Sequence, residues 1–355
     1  MGERLGRTEL AARIAAVRER IDRLPRVRLA HLPTPLDACP RLSAQLGGPA
    51  LWVKRDDCTG LAFGGNKSRQ LEFTLGDAVA QGADVIIQGA ASQSNHSRQL
   101  AAAAAKLGLT AHLVVKADER SRPVQGNLLI DHLLGAVIHM VPPKTRMTEA
   151  KERLAAKLRE QGHRPYVVGM GATRTLALAA VAYVNAFLEI VEAMLPDGGP
   201  PHWIYTTSQG GTQAGLLLGA RLLGLPTRVV GINPMLPTHE AYEPPERIAE
   251  LANMAAKMLG FDVKVREEEI VNLCDYVGAG YGIPSPEALE ALRLLASTEG
   301  IVLDPVYTSK GFAGLIDHIR KGRLRAGERV VFVHTGGTPA LFAYAGELGI
   351  ESAER

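Results

Sequence analysis

Phe63-Gly64-Gly65-Asn66-Lys67-Ser68-Arg69-Gln70-Leu71-Glu72 is the stretch from which the organisation of this chain is best argued. It places Lys67 directly behind Gly-Gly-Asn, where a glycine-rich turn gives way to a helical pattern. Two glycines allow the backbone to turn sharply and to pass close to a flat or bulky group. The following apolar residues share one predicted helical face: Leu71, Leu75, Ala78 and Val79. The pattern predicts Lys67 at the mouth of a pocket, and a solvated lysine on a helix flank is the alternative.

The composition is that of an ordinary globular protein with a substantial core. The chain has 355 residues, of which 46% are hydrophobic and 22% are charged. This length suits two domains, or one large α/β domain with a subdomain. The formal net charge of +3 is small for this length, and basic and acidic residues are interspersed. We therefore expect no nucleic-acid partner and no membrane partner.

Cysteine usage and the N-terminus bear on the compartment. The three cysteines lie far apart and form neither a disulfide framework nor a metal-ligand spacing. We therefore expect a cytoplasmic protein without a metal site. The charged residues 1–7 are followed by no continuous apolar segment, unlike a signal peptide, and the apolar run at 176–190 is interrupted by polar side chains.

From about residue 51 onward, apolar strands alternate with helical patterns, as in a parallel sheet covered on both faces. Residues 8–24 precede this region as an amphipathic helix, whose apolar face packs on the domain body or on a neighbouring subunit. We expect a doubly wound α/β architecture with ligands at the carboxyl ends of the strands. The clearest predicted strands are 51–54, 83–89, 111–115, 137–141, 165–168, 202–206, 227–232 and 329–334.

Thr206-Thr207-Ser208-Gln209-Gly210-Gly211-Thr212-Gln213-Ala214-Gly215 follows a predicted strand and opens a helix. Its small residues leave backbone N–H groups exposed at a helix N-terminus, and Thr212 adds a hydroxyl. We therefore predict that Gly210, Gly211 and Thr212 bind a phosphate. The spacing is neither that of a nucleotide P-loop nor that of a dinucleotide-binding fold, and a plain tight turn is the alternative.

Three further segments carry polar side chains at predicted strand ends or helix starts. Ser92-Gln93-Ser94-Asn95-His96-Ser97 offers hydroxyls, amides and N–H groups that suit a carboxylate, although such residues also simply cap helices. Ser94 is also a candidate catalytic residue, because its hydroxyl is available for proton transfer. Tyr307 lies at a helix start and, with Tyr281, is placed to act as an acid or base. Thr335 ends the last strand, and two glycines leave space above it.

These segments contain the groups that pyridoxal phosphate requires. Its aldehyde needs a lysine amine, its phosphate needs N–H donors, and its ring nitrogen and 3-hydroxyl each need a polar neighbour. Lys67, the 210–212 turn, the carboxylate-binding helix start at 92–97 and the strand-end hydroxyl of Thr335 together predict such a site.

Six motifs occur in the order typical of a known family: Gly-Gly-Asn-Lys-Ser-Arg-Gln-Leu-Glu, Gln-Ser-Asn-His-Ser-Arg-Gln, Gly-Gly-Thr-Gln-Ala-Gly, Gly-Tyr-Gly-Ile-Pro, Asp-Pro-Val-Tyr and His-Thr-Gly-Gly. They resemble the D-cysteine desulfhydrase and 1-aminocyclopropane-1-carboxylate deaminase family, within the tryptophan-synthase-β fold type (fold type II) of pyridoxal-phosphate enzymes. The resemblance covers about residues 31–344.

The resemblance implies an α/β, two-domain fold with doubly wound, mostly parallel sheets, and a homodimer. The large cofactor-binding domain is expected over residues 1–65 and 169–355, with 1–25 as a helical extension, and the small α/β domain over residues 66–168. The implied cofactor contacts are those of Lys67 with the aldehyde, Asn95 with the 3-hydroxyl, Gly210, Gly211 and Thr212 with the phosphate, and Thr335 with the ring nitrogen. The implied substrate contacts are those of Ser94, Asn95 and His96 with the carboxylate and of Tyr281 and Tyr307 with the reacting side, and Lys67 would shuttle the Cα proton.

The residue after Tyr307 bears on the reaction. The deaminase branch of the family typically has a glutamate there, which supports a protonated ring, whereas this chain has Thr308. A neutral partner makes the ring a weaker electron sink and disfavours opening of a cyclopropane. The hypothesis is α,β-elimination from a cysteine-like amino acid: D-cysteine to pyruvate, ammonia and hydrogen sulfide, or cysteate to pyruvate, ammonia and sulfite. Racemisation, β-replacement and a cofactor-binding protein without turnover are the alternatives.

Two departures from the family pattern concern the pocket. Gly169-Met170-Gly171-Ala172-Thr173-Arg174 replaces a run of small residues, so that Arg174 is expected either to bind a second substrate anion or to lie on the surface. Ser208-Gln209 stands where relatives usually have Gly-Ser, so that Gln209 is expected to crowd the phosphate turn.

Overall fold

A computed structural model describes residues 6–169, 171–207 and 210–349. Ser208, Gln209 and Met170, on which parts of the expectations above fall, lie outside the described residues, as do residues 1–5. The helices are α1 (Arg7–Asp22), α2 (Pro40–Leu46), α3 (Asn66–Ala80), α4 (Asn95–Leu107), α5 (Gly126–Leu133), α6 (Met147–Glu160), α7 (Thr173–Met194), α8 (Gly211–Leu223), α9 (Pro245–Met258), α10 (Pro286–Glu299), α11 (Thr308–Arg320) and α12 (Thr338–Leu341).

The strands form two separate sheets. They are β1 (Leu36–Ala38), β2 (Ala50–Arg55), β3 (Val85–Ala91), β4 (Thr110–Lys116), β5 (Val137–Val141), β6 (Pro165–Val167), β7 (Trp203–Thr207), β8 (Arg228–Ile232), β9 (Val271–Leu273) and β10 (Arg329–His334). The larger sheet has the order β1-β2-β10-β7-β8-β9 and is parallel except for β1. The smaller sheet has the order β5-β4-β3-β6 and is parallel throughout.

The α/β alternation with mostly parallel sheets is confirmed. The sequence analysis missed β1, α2 and β9, because segments of three to seven residues carry too little periodicity to distinguish them from turns. All three lie at the margin of the larger sheet or against it, so their omission did not alter the predicted architecture.

Helix α7 is the centre of the larger core. Its residues from Ala177 to Ile190 are almost all buried, and they pack against α8 and α1. By length and composition α7 is apolar enough to cross a membrane, but most of it is buried inside the protein. The apolar face of α1 packs on this same cluster through Leu10, Ile14, Val17 and Ile21, so α1 belongs to the domain body.

Helix α3 lies between the two sheets and is buried on nearly every side. Phe73 joins the cluster around α7, whereas Leu71, Leu75 and Ala78 join the cluster of the smaller sheet. Val79, expected on the same buried face, is instead 44% exposed. Because α3 packs into both hydrophobic cores, the residues at its start are held between the two sheets.

Candidate active site

A cavity of about 450 Å³ lies between the two sheets, at the carboxyl ends of their strands. The strand ends that reach it are the Gly89–Ala91 end of β3, residues 116–118 at and after β4, 168–169 after β6, Thr207 of β7 and 335–336 after β10. Ligands of open parallel sheets bind at such ends because the loops there converge on one crevice. The cavity also contains the start of α3.

Lys67 lines this cavity, as predicted, and is held there by glycines. Gly65 has φ +123°, and a Cβ on it would lie 2.5 Å from the Gln99 side chain. A Cβ on Gly336 would lie 2.7 Å from the Cα of Gly65, so the turn after β10 packs directly on the turn before Lys67. Burial lowers the pKa of the Lys67 amine to about 8, which makes it a competent base near neutral pH.

A buried network of charges anchors α3 behind Lys67. The Arg69 guanidinium, which is 0% exposed, binds Asp56 at 2.9 Å and Glu189 of α7 at 2.7 Å. Lys54 of β2 also binds Glu189, at 2.8 Å. Burial alone would raise the pKa of Asp56, but the charges of Arg69 and Lys54 outweigh it and hold that pKa below its usual range. The network ties the lysine-bearing helix to the larger sheet.

The predicted phosphate turn lies at the start of α8, beside Lys67. Gly210 has φ +63° and precedes the helix, and Gly211 lines the cavity. The Thr212 Oγ1 accepts hydrogen bonds from Asn66 Nδ2 at 3.4 Å and Gln70 Nε2 at 3.1 Å. These bonds join the first turns of α3 and α8, so the N-terminus of α8 opens on the same space as the lysine.

Ser94, Asn95 and His96 line the opposite wall, at the start of α4. The Ser94 Oγ accepts a bond from Ser97 N at 3.1 Å, so it does cap the helix, and its O–H hydrogen is left to donate into the cavity. The Asn95 Oδ1 accepts a bond from Asn127 Nδ2 at 2.9 Å. Burial, together with the nearby charges of Lys67 and Lys151, holds the pKa of His96 well below its usual range, so its imidazole is neutral.

Tyr281 and Tyr307 lie side by side on the cavity wall, and their hydroxyls are hydrogen-bonded to each other. Their ring centroids are 5.8 Å apart. Burial raises the pKa of both phenols, so both are protonated at neutral pH. The loop that carries Tyr281 is held by Lys310, whose Nζ donates to the carbonyls of Val277 at 2.7 Å and Gly280 at 2.8 Å.

Thr335 lines the cavity, and its carbonyl accepts a bond from Asn66 N at 2.9 Å. The Thr308 hydroxyl is instead engaged with Asp304, donating to Oδ1 at 2.7 Å. The Asp304 carboxylate also accepts bonds from the backbone N–H groups of Val306, Tyr307 and Thr308 at 2.8–3.0 Å. Neither Asp304 nor Thr308 lines the cavity. The Thr335 end of the cavity therefore presents a neutral hydroxyl.

The structure corrects the expectation for Arg174. Its guanidinium binds Asp77 of α3 through Nε at 3.0 Å and through NH2 at 2.6 Å, and its side chain is 58% exposed. The Asp77 carboxylate is also bound by Tyr166 and Gln81. Arg174 lies in the first turn of α7 and does not line the cavity, because its ion pair with Asp77 of α3 holds the side chain away from it.

The cavity fits pyridoxal phosphate. It combines a lysine amine of lowered pKa, a helix N-terminus that begins with Gly210 and Gly211, and a close approach of backbone at Gly65 and Gly336 that a Cβ would prevent. Lys67, Gly211 at the start of α8, Asn95 and Thr335 all line this cavity, and we propose that they would hold the aldehyde, the phosphate, the 3-hydroxyl and the ring nitrogen, respectively. When bound, the cofactor supplies the electron sink for a carbanion at the substrate Cα.

Sequence reasoning missed several residues that line the cavity or support its wall. Gln70 was in the opening stretch, and its position three residues after Lys67 on one helical face was a usable signal. Lys116 and Glu240 form an ion pair, and both line the cavity, Lys116 from the end of β4 and Glu240 from the loop between β8 and α9. Asn127 supports Asn95 from α5. No local pattern distinguishes these last three from ordinary surface or helix residues.

Comparisons with known proteins identify the family of this chain. Residues 27–336 match the family described as "Pyridoxal-phosphate dependent enzyme". The chain is 39% identical over 332 residues to a D-cysteine desulfhydrase from Klebsiella pneumoniae (strain 342), covering 92% of this chain and 98% of that protein. It is also 39% identical over 330 residues to a D-cysteine desulfhydrase from Salmonella choleraesuis (strain SC-B67), covering 91% and 97%.

Solved structures give the same result. A crystal structure of an ACC deaminase homologue superposes with a TM-score of 0.83 at 36% identity, covering 94% of this chain and 98% of the other. The apo structure of Escherichia coli diaminopropionate ammonia lyase, at 14% identity, shares the fold with a TM-score of 0.64, covering 99% and 96%. This chain therefore belongs to the pyridoxal-phosphate-dependent enzyme family and is a pyridoxal-phosphate-dependent lyase.

Proposed function

We propose that this enzyme catalyses α,β-elimination from D-cysteine, releasing hydrogen sulfide and yielding pyruvate and ammonia. The observation that carries the proposal is the neutral Thr335 end of the cavity, where Asp304 is saturated by the 306–308 backbone and by Thr308. A neutral partner favours a reaction in which a good leaving group departs soon after the Cα proton. The relatives named D-cysteine desulfhydrase support this choice of substrate.

In the proposed reaction the protein binds the substrate, removes the Cα proton and protonates the leaving sulfur. Ser94, with the N–H groups at the start of α4, binds the substrate carboxylate. Lys67 removes the Cα proton, since burial has already lowered the pKa of its amine to about 8. In this proposal the hydrogen-bonded hydroxyls of Tyr281 and Tyr307 protonate the departing thiolate, which leaves as hydrogen sulfide. The Cα–H and Cβ–S bonds are broken in turn, and water hydrolyses the released aminoacrylate to pyruvate and ammonia.

The test is a screen for pyruvate. Purified protein is incubated with D-cysteine, L-cysteine, cysteate, β-chloroalanine or D-serine, and pyruvate, sulfide and sulfite are quantified. We expect pyruvate and sulfide in equal amounts from D-cysteine, and none from a Lys67→Ala variant. Sulfite from cysteate at higher efficiency would reassign the leaving group. Cα deuterium exchange without pyruvate would indicate a racemase, and neither exchange nor pyruvate would indicate a cofactor-binding protein without turnover.

We also propose a cytoplasmic homodimer with a large domain of residues 1–65 and 169–355 and a small domain of residues 66–168. Support for the small domain is that all four strands of the smaller sheet come from residues 85–167.

Support for a dimer is the exposure of large apolar side chains, Leu133 at 77% and Phe342 at 73%. Support for the compartment is that Cys39, Cys58 and Cys274 are free thiols. Light scattering after size exclusion measures the dimer, and a monomer at micromolar concentration would contradict it.

A further inference from the structure

The Asn95 carboxamide presents either its nitrogen end or its oxygen end to the cavity. If Nδ2 faces inward, the cavity gains a hydrogen-bond donor, and if Oδ1 faces inward, it gains an acceptor. The proposed contact with the oxygen of the cofactor's 3-hydroxyl requires the donor, because that oxygen carries negative charge when it is ionised. The role inferred here for the residues behind Asn95 rests on the proposed function, because they orient this carboxamide toward the proposed cofactor.

The oxygen of Asn95 is engaged on the side away from the cavity. The Asn127 Nδ2 donates to it at 2.9 Å, and an Arg98 guanidinium nitrogen donates at 3.5 Å. Asn95 itself lines the cavity, and its Nδ2 donates to no group within residues 6–169, 171–207 and 210–349. Because the two ends of a carboxamide point apart, this engagement turns Nδ2 toward the cavity.

Asn127 has no freedom to flip in turn. The Arg98 Nε donates to its Oδ1 at 2.8 Å, and a guanidinium can only donate. On its other end the Asn127 Nδ2 donates to the carbonyl of Gln93 at 2.8 Å as well as to Asn95. A flipped Asn127 would set donor against donor at Arg98 and acceptor against acceptor at Gln93. Asn127 is 0% exposed, so water cannot relieve either clash.

Arg98 connects this arrangement to the turn before Lys67. It is 0% exposed, and its guanidinium donates to the carbonyls of Ala62 and Gly64, at 3.1 Å for Gly64. These two residues belong to the turn that contains positive φ angles at Ala62, Phe63 and Gly64. The same guanidinium therefore contacts the backbone that places Lys67 and the carboxamide that orients Asn95.

We infer that Asn127 is a positioning residue, which, held by Arg98, forces Asn95 to present Nδ2 to the phenolic oxygen of the bound cofactor. The Arg98 guanidinium can only donate, so its bond fixes the orientation of the Asn127 amide, and the bond from Asn127 in turn fixes the orientation of the Asn95 amide. No residue in it apart from Asn95 lines the cavity, so Asn127 acts only through Asn95. Burial supports the arrangement, since it leaves Arg98 no solvent partner in place of these acceptors.

The first test is Asn127→Asp in the cofactor-loaded enzyme. The substitution keeps the size and the bond to Arg98 but replaces the Nδ2 donor with an acceptor, so Asn95 turns its own Nδ2 away from the cavity. We expect the dissociation constant for pyridoxal phosphate to rise about tenfold, the usual effect of one lost hydrogen bond. We also expect the pH midpoint of the bound cofactor's visible absorbance to shift without substrate. Asn127→Ser, which adds no charge, is expected to change both in the same direction.

The matched control is Asn253→Asp. Asn253 makes two hydrogen bonds with the backbone of Val265, at 2.8 and 2.9 Å, and does not line the cavity. The same amide-to-carboxylate change at this position is expected to leave the cofactor's affinity and absorbance unchanged. Circular dichroism of all variants identifies any that are misfolded.

A double-variant cycle separates positioning from a general structural role. If Asn127 acts through Asn95, the tenfold factor of Asn127→Asp disappears in the Asn95→Ala background. The same factor in both backgrounds, or no spectral change in Asn127→Asp and Asn127→Ser, overturns the inference. If the wild-type enzyme shows the cofactor spectrum but forms no pyruvate, the proposed reaction is overturned, whereas the inference about how Asn95 is oriented toward the cofactor is not.

Discussion

Asp131 is predicted to make the stability of this enzyme fall as pH rises. Its side chain lies on α5, one helical turn from Asn127, and is 1% exposed. Neither carboxyl oxygen accepts a hydrogen bond from the described residues. Burial raises the pKa of this carboxyl from 3.8 to about 8, against the opposing charge of Arg98. The folded protein therefore retains a proton that the unfolded chain has already lost.

The sign and size of the effect follow from that retained proton. Between about pH 4 and pH 8 the folded state binds one more proton at this site, so the free energy of unfolding falls by about 1.4 kcal/mol for each pH unit. From about pH 5.5 to pH 7.5 the loss is about 3 kcal/mol. Asn in place of Asp131 cannot ionise, so the stability of Asp131→Asn relative to wild type should increase by this amount over the same interval.

The assay is urea unfolding followed by far-ultraviolet circular dichroism, at both pH values, on wild type and variant with the same cofactor concentration. Stabilisation by the cofactor is common to both proteins and cancels in the comparison. Asp197→Asn is the control, since Asp197 is exposed and the same substitution there removes no buried carboxyl. Equal pH slopes for wild type and Asp131→Asn would refute the reasoning and place an ionised Asp131 beside Arg98 in the folded protein.

Further predictions concern the cavity and its anchors. Lys67→Ala should abolish borohydride fixation of the cofactor and lower kcat more than about a thousandfold, and retained fixation would exclude Lys67 as its carrier. Arg69→Met should cost about 3–5 kcal/mol in urea unfolding because it removes the buried guanidinium that both Asp56 and Glu189 bind, and a loss under about 1 kcal/mol would contradict this. Arg174→Ala should leave kcat and KM within about twofold, since the side chain lies outside the cavity; a large rise in KM would place it at the substrate. Gly336→Ala should weaken cofactor binding at least about tenfold, measured by absorbance titration, because its Cβ would lie 2.7 Å from neighbouring backbone.

Features governed by neighbouring residues could be predicted from the sequence. The turn before Lys67, the starts of α4 and α8, and the alternation of strands with helices all depend on glycine freedom, capping residues and periodicity within a few positions. The carboxyl-end rule for parallel strands then brings these segments to one edge. For this reason Lys67, Ser94, Asn95 and Thr335 were correctly expected around one cavity.

Which partner each side chain takes depended on tertiary structure. Arg174 was a plausible anion ligand until folding placed Asp77, 97 residues away, within its reach. Gln70 meets Thr212 across 142 residues, and Glu240 meets Lys116 across 124. Hydrogen bonds and ion pairs are decided over a few ångströms, whereas sequence patterns report only on residues within a few positions along the chain. The sequence by itself determined that a lysine after a glycine turn, a glycine-rich helix start and a strand-end hydroxyl are present, and only the packing of the two sheets around α3 decided which neighbours orient and neutralise them.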